Sequence, residues 1–420
     1  MLLIFKQNLC LVWSLLLTTC AALPSSSASV LPPSQDPFYT APAYFASTAP
    51  GTVLRIRSAP GNLTTVVRNS SAAYNILYRT TNSRYKPSWA VTTLFVPLLP
   101  WTSSTSSGCG ALLSYQIPYD SVDVDASPSY ALYSNPPSDI ATALGYGWYV
   151  TVPDYEGPLA SFGAGVQSGH ATLDSVRAVL STGFGLASDA RYALWGYSGG
   201  ALASDWAAEL QVQYAPELDF AGAALGGLPS NATSALLAVA GGFAAGLIPS
   251  ALLGLTSQYP GAREFLVGQL RKAGKYNRTT FLAAEHMTLP QTVETFAFQN
   301  VFDYFVDGTA ILEAPVLERI IDTDSVLGYH GVPQMPLFMY KAIADEIAPT
   351  RDTDALVAEY CAVGANILYH RNTVGEHVTE AVNEDAMAFE WLSTVLAGTY
   401  GDYFSTQGCT IQNVTVNVTA

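Results

Sequence analysis

The chain has 420 residues, 49% of them apolar and only 12% charged, with 33 acidic against 18 basic side chains and a formal net charge of −15. That composition supports a large packed core and excludes a disordered polymer. It also excludes nucleic acid as a partner, because neutralising phosphates takes clustered Lys and Arg, and it disfavours attraction to anionic lipid headgroups.

Taken in chain order, the first element is a leader. One early lysine is followed by the run LCLVWSLLLTTCAA and a Ser-rich stretch, which predicts a secretory signal peptide over 1–22, cleaved near Ala21 to Leu23. The run is short for a membrane anchor. Six sequons, at Asn62, Asn69, Asn231, Asn277, Asn413 and Asn417, fit N-glycosylation in a secretory pathway. Removing the leader leaves Cys109, Cys361 and Cys409 in an oxidising compartment, where one bridge is expected, between Cys361 and Cys409.

After a Pro-rich and Ser-rich lead-in come four runs with strand composition, TVLRIRS, YNILYRTT, AVTTLFVP and ALLSYQ, expected as successive strands near a sheet edge. From residue 138 the rhythm becomes strand and helix in alternation. SDIATALGYG, HATLDSVRAVLSTG and ASDWAAELQVQYA read as helices, and WYVTVPD, RYALWG and DFAGAALGG as buried strands. That is the pattern of a parallel sheet covered on both faces.

The alternation then stops. Residues 228–324 are helical in texture, and their apolar stretch 234–255 is interrupted by Gly241, Gly242, Gly246 and Pro249. An inserted helical cap is expected here, with the glycines as hinge-like breaks and with Leu237 and Leu247 on its apolar surface. The alternation returns with PLFMY, the helix TDALVAEYCAVG, the strand NILYH and the helix VTEAVNEDAMAFEWLSTVL.

The chemistry is carried by Gly196-Tyr197-Ser198-Gly199-Gly200, between a strand and a helix. A serine on such a turn is held in strained geometry, and small residues two before and two after it let neighbouring backbone approach. This predicts an α/β-hydrolase fold with a mainly parallel central sheet and an inserted helical cap: core at 35–227 and 325–420, cap (lid) at 228–324. Ser198 then needs a histidine base and an acid, in the order Ser, acid, His. His286 falls in the cap and His330 precedes the strand that should carry the acid. His370 ends the strand NILYH, and His377 lies in the loop after it, so His377 is the expected base. The loop after PLFMY offers Asp345 and Glu346, either of which serves by residue type. The backbone N–H of Gly199 is the first expected oxyanion donor. The second is sought in the loop after ALLSYQ, at Asp120 and its neighbours.

Together SYQIPYDSVDVDASPSY, PDYEG, ALWGYSGGALASDWAAELQVQYAPEL, YKAIADEIAPT and CAVGANI resemble the fungal secretory lipase family, the lipase A type of α/β-hydrolase. The resemblance runs from DPFYTAP to the region of Cys409 and implies a triad of Ser198, Asp345 and His377, with Asp345 preferred over Glu346. It also implies an oxyanion site of Asp120 and Gly199. A carboxyl donates only when protonated, so burial or neighbouring carboxylates such as Asp123, Asp125 and Asp154 must raise the pKa of Asp120. The family pattern often has Cys where this chain has Ala126, which leaves Cys109 unpaired. The function expected is a secreted serine ester hydrolase working through an acyl-enzyme, foremost a lipase or carboxylesterase for acylglycerols at a lipid–water interface. The alternative is an esterase for a small acylated specialised metabolite, such as an acetyl ester. No metal or organic cofactor, no nucleic acid and no transmembrane anchor is implied, and a monomer is expected.

Overall fold

The β-branched and aromatic runs pair into one sheet in the computed structural model, which describes residues 30–101 and 109–418. The leader expected at 1–22 and the side chain of Cys109 lie outside the described residues. The first strands are β1 (Val53–Ser58), β2 (Ser70–Thr81), β3 (Pro87–Pro97), β4 (Cys109–Gln116) and β5 (Tyr149–Pro153). The rest are β6 (Leu186–Tyr197), β7 (Gly222–Gly226), β8 (Leu337–Ala342), β9 (Ile367–Asn372) and β10 (Cys409–Val414).

Their order across the sheet is β1-β2-β3-β5-β4-β6-β7-β8-β9-β10. The β1-β2, β2-β3 and β3-β5 pairs are antiparallel, and every later pair is parallel. β4, expected beside the edge strands, instead lies between β5 and β6. Its residues Ala111 to Tyr115 are all buried, as in a central parallel strand covered on both faces. β10 was not expected. Its residues are mostly exposed, so it lacks the burial pattern by which strands are recognised, yet it extends the sheet beside β9. Cys361, on the helix Thr350–Ala362, is bridged to Cys409 at the start of β10, with a Cα separation of 5.9 Å.

Side chains alternate between two cores, as the two-residue period of a strand requires. Leu112 and Leu194 pack with Ala171, Val176 and Trp206 of the helices Gly165–Thr182 and Gly199–Tyr214. Leu113 and Trp195 pack with Ile140, Trp391 and Leu392 of the helices Ser138–Gly145 and Asp385–Ala397 on the other face.

Between β7 and β8 the chain forms mainly short helices, among them Ala232–Val239, Leu247–Ser257, Leu289–Phe296 and Pro315–Asp324. They share an apolar cluster of their own that includes Ile248, Leu252, Phe281, Phe296 and Ile321. Gly246, read in the sequence as a break, and Gly254 are sites of close approach: a Cβ on the first would overlap the Thr292 carbonyl, and one on the second would overlap the Phe162 backbone. No described helix is long and apolar enough to cross a membrane. Of the sequon asparagines, Asn62, Asn69, Asn413 and Asn417 are exposed, while Asn231 and Asn277 are half-buried and cap helices by accepting from the Ser234 and Thr280 N–H groups.

Candidate active site

Ser198 stands between β6 and the helix Gly199–Tyr214 with φ 52° and ψ −122°, a conformation that L-residues avoid. Glycine on either side makes the turn feasible. A Cβ on Gly196 would overlap the Gly200 backbone, and one on Gly200 would overlap the Gln116 carbonyl at the end of β4. The Ser198 N–H donates to the Gly226 carbonyl at 2.8 Å, which ties the turn to the end of β7. The turn therefore lifts the Ser198 hydroxyl clear of the sheet at the carboxyl ends of its parallel strands, where open α/β sheets bind ligands.

His377 opens the short helix His377–Asn383 and bridges two side chains. Its Nε2 lies 2.8 Å from Ser198 Oγ and its Nδ1 lies 2.8 Å from Asp345 Oδ2. With Nδ1 protonated, the ring donates to the carboxylate and accepts from the hydroxyl. The backbone of His377 is fixed at both ends. Its N–H donates to Glu346 Oε2 at 2.9 Å, and its carbonyl accepts from the Tyr197 hydroxyl at 2.5 Å. The two acids left open by residue type thus have separate positions: Asp345 touches the ring and Glu346 the backbone. His370 lies elsewhere, with Glu384 at 3.1 Å and Gln412 at 2.7 Å.

Asp345 sits just beyond β8. Its Oδ1 accepts from the Ile347 and Ala348 N–H groups at 3.0 and 2.7 Å, while Lys341 Nζ lies 3.1 Å from Oδ2. Burial alone would raise this carboxyl, but the His377 hydrogen bond, the Lys341 charge and the Ala348 N–H outweigh it and hold Asp345 below the usual carboxylate range. Sequence reasoning passed over Lys341. A signal was present, since a charged residue inside the otherwise apolar strand PLFMYKA needs a buried partner.

Asp120 stands over Gly199: a Cβ on that glycine would overlap Asp120 Oδ1. Asp120 has φ 43°, is 4% exposed, and its Oδ1 has no hydrogen-bond partner. Burial pushes the carboxyl up to about 7, against a lowering by its own backbone N–H. The acids considered as its neighbours are engaged elsewhere. Asp123 accepts from the Asp125 N–H, Asp125 from Ser34, and Asp154 from Ser129. Glu156, unremarked in the sequence, feels Asp120 instead: burial first, and the Asp120 charge second, push it well above its ordinary value.

Ser198, Gly199 and Asp120 line a cavity of about 70 Å³ whose other walls include Phe162, Leu202, Leu236, Val239, Leu247 and Ile347. Leu247 therefore faces the cavity, whereas Leu237, paired with it in the sequence reading, is 47% exposed.

Against this geometry the likenesses to known proteins fall into place. Residues 138–401 match the family described as secretory lipase. The chain is 53% identical to a trichothecene C-3 esterase of Fusarium sporotrichioides over 97% of this chain and 93% of that protein. It is 37% identical to lipase A of Arthroderma benhamiae over 90% of this chain and 82% of that one. Among solved structures, Candida antarctica lipase A superposes with a TM-score of 0.82 at 31% identity, covering 93% of this chain and 91% of the other. The chain belongs to the secretory lipase family and is a carboxylic ester hydrolase of the α/β-hydrolase fold.

Proposed function

We propose that Ser198, His377 and Asp345 form the catalytic triad, that Gly199 and Asp120 form the oxyanion site, and that residues 228–324 cap the acyl pocket of a secreted, monomeric esterase. Ser198 Oγ attacks the ester carbonyl as His377 Nε2 takes its proton, and Asp345 stabilises the imidazolium. The oxyanion accepts from the Gly199 N–H, which has no intrahelical partner in the first turn, and from the protonated Asp120 carboxyl. His377 gives the proton to the departing alcohol. It then activates the water that releases the acid from Ser198. The support for these roles is that one imidazole spans both Ser198 and Asp345 at 2.8 Å.

The substrate read from the site is an ester of a small carboxylic acid on a specialised metabolite, of the trichothecene C-3 type. The full-length likeness to the trichothecene C-3 esterase carries this choice over a long-chain acylglycerol. The second reading, a triacylglycerol lipase, is favoured by the apolar lining of the cavity and by the likeness to two lipases A.

Kinetics on three substrates separate the readings: a C-3 acyl trichothecene, the same skeleton esterified at another carbon, and emulsified long-chain triacylglycerol. The first should exceed the others by at least about tenfold in kcat/KM. A preference for the emulsion would install the lipase reading and leave the triad untouched.

A further inference from the structure

Lys341 is the one fully buried lysine among the described residues, and it lies in the middle of the site's electrostatics. It occupies β8, in which all six residues are buried. Its ammonium donates to the Leu228 carbonyl at 2.9 Å and pairs with Asp345 Oδ2 at 3.1 Å, the same oxygen that accepts from His377 Nδ1 at 2.8 Å. The lysine charge is therefore within about 6 Å of the imidazole, inside the range at which one charge shifts another's protonation.

We propose that Lys341 is a positioning and charge-tuning residue of the triad, neutralising Asp345 so that His377 keeps its free base form, and the enzyme its activity, to lower pH. The sign follows from the charges. An unpaired Asp345 carboxylate favours the imidazolium, and an imidazolium cannot accept the Ser198 proton. A cation on the same carboxylate opposes that, so the acid limb of kcat/KM lies lower than it would with Asp345 alone. The inference rests on the triad proposed above.

Of the other charged groups around the pair among the described residues, the one cation, Arg371, the cross-strand neighbour of Lys341 on β9, is paired with Asp354 at 3.0 Å and does not substitute for it. Asp352 and Asp354, on the helix Thr350–Ala362, are acidic and act on Lys341 in the same sense as Asp345. Glu380, on the helix that begins with His377, and Glu346 are acidic as well. Tyr197 has its hydroxyl committed to the His377 carbonyl. Burial pulls Lys341 below its ordinary value, while Asp345 pulls it back. The pair is thus mutually dependent: each charge is kept in the interior by the other.

A structural alternative must be separated from the electrostatic one. Leu228 begins the segment that leads from β7 into the helical insertion, and its carbonyl also accepts from Thr353 Oγ1 at 3.0 Å. Lys341→Met and Lys341→Gln remove the charge, the second keeping a donor, and Thr353→Val removes only the other bond to Leu228. The pH profile of kcat/KM on a soluble short-chain ester is the readout, with wild type and Thr353→Val as references.

In both lysine variants the acid limb should move up by about one pH unit or more, so that at a pH one unit below the wild-type limb the rate falls about tenfold further. The position of the alkaline limb and KM should change little, KM by no more than about threefold. Thr353→Val should leave the limb in place. An unmoved limb in the lysine variants would overturn the proposal, as would an equal shift in Thr353→Val or failure of both lysine variants to fold. The triad reading fails on a different result, retention of turnover in Ser198→Ala.

Discussion

A serine hydroxyl at neutral pH is a weak nucleophile, and in the proposed mechanism the groups around Ser198 divide the work of activating it. Asp345 and Glu346 are adjacent in sequence, yet one meets the His377 ring and the other its backbone N–H. Asp345→Asn should therefore lose on the order of 10⁴ in kcat, through the wrong imidazole tautomer. Glu346→Gln, which keeps an acceptor for the N–H, should stay within about threefold of wild type. Steady-state kinetics of the two variants checks this, and exchanged outcomes would reassign the acid. Asp120 predicts a pH effect of opposite hand to that of Lys341. Its carboxyl must be protonated to donate, and burial sets it at about 7, so activity should fall as pH rises through that value. Asp120→Asn donates at every pH and should flatten this alkaline limb. If the limb persists unchanged in the variant, Asp120 is not its source. The order Ser, acid, His and the candidacy of Ser198 and His377 were legible from residue type and spacing. Residue type and spacing did not choose between Asp345 and Glu346, which depends on which way each side chain leaves a single turn; only the family resemblance pointed to Asp345.

At the scale of elements, the helix-rich insertion between β7 and β8 supplies most of the apolar wall above Ser198. Leu236, Val239 and Leu247 face the cavity, while Leu237 turns to solvent. A charge at Leu247 would sit unpaired in an apolar space, and Leu247→Glu should lower kcat/KM on short-chain esters by at least about tenfold. Leu237→Glu should change it by less than about twofold. Equal losses in both, measured beside melting curves, would mean that the insertion had been disrupted as a whole. The sequence reading paired these leucines because both lie in one apolar stretch. The break at Ala240 to Gly242 places them on separate helices with different faces inward. The central strands were legible because their residues form continuous apolar runs. β10 was not, since its place depends on pairing with β9 and on the Cys361–Cys409 bridge rather than on burial.

The whole molecule carries an excess of acid, much of it buried. Burial pushes Asp154, Asp324, Glu380 and Asp385 each up to about 7. These groups are raised in the folded state, so their contribution to stability is full below the unfolded carboxylate range, near pH 4, and is lost as pH rises toward 7. His170 works in the opposite direction, pulled down to about 3 by burial, so its contribution is lost as pH falls below its ordinary value. The four carboxyls outweigh the two imidazoles that burial pulls down, His170 and His330, and relief of self-repulsion in a chain of net charge −15 adds to them. The melting temperature should therefore be several degrees higher at pH 5 than at pH 8. Calorimetry at the two values checks this, and a higher melting temperature at pH 8 would contradict it. In the proposed mechanism Ser198 Oγ carries the acyl group. The most direct test is intact-protein mass spectrometry after exposure to a fluorophosphonate, followed by peptide mapping. The account predicts one adduct, on Ser198, with esterase activity lost in step and with neither adduct nor turnover in Ser198→Ala. An adduct on another residue, or turnover undiminished in that variant, would contradict it.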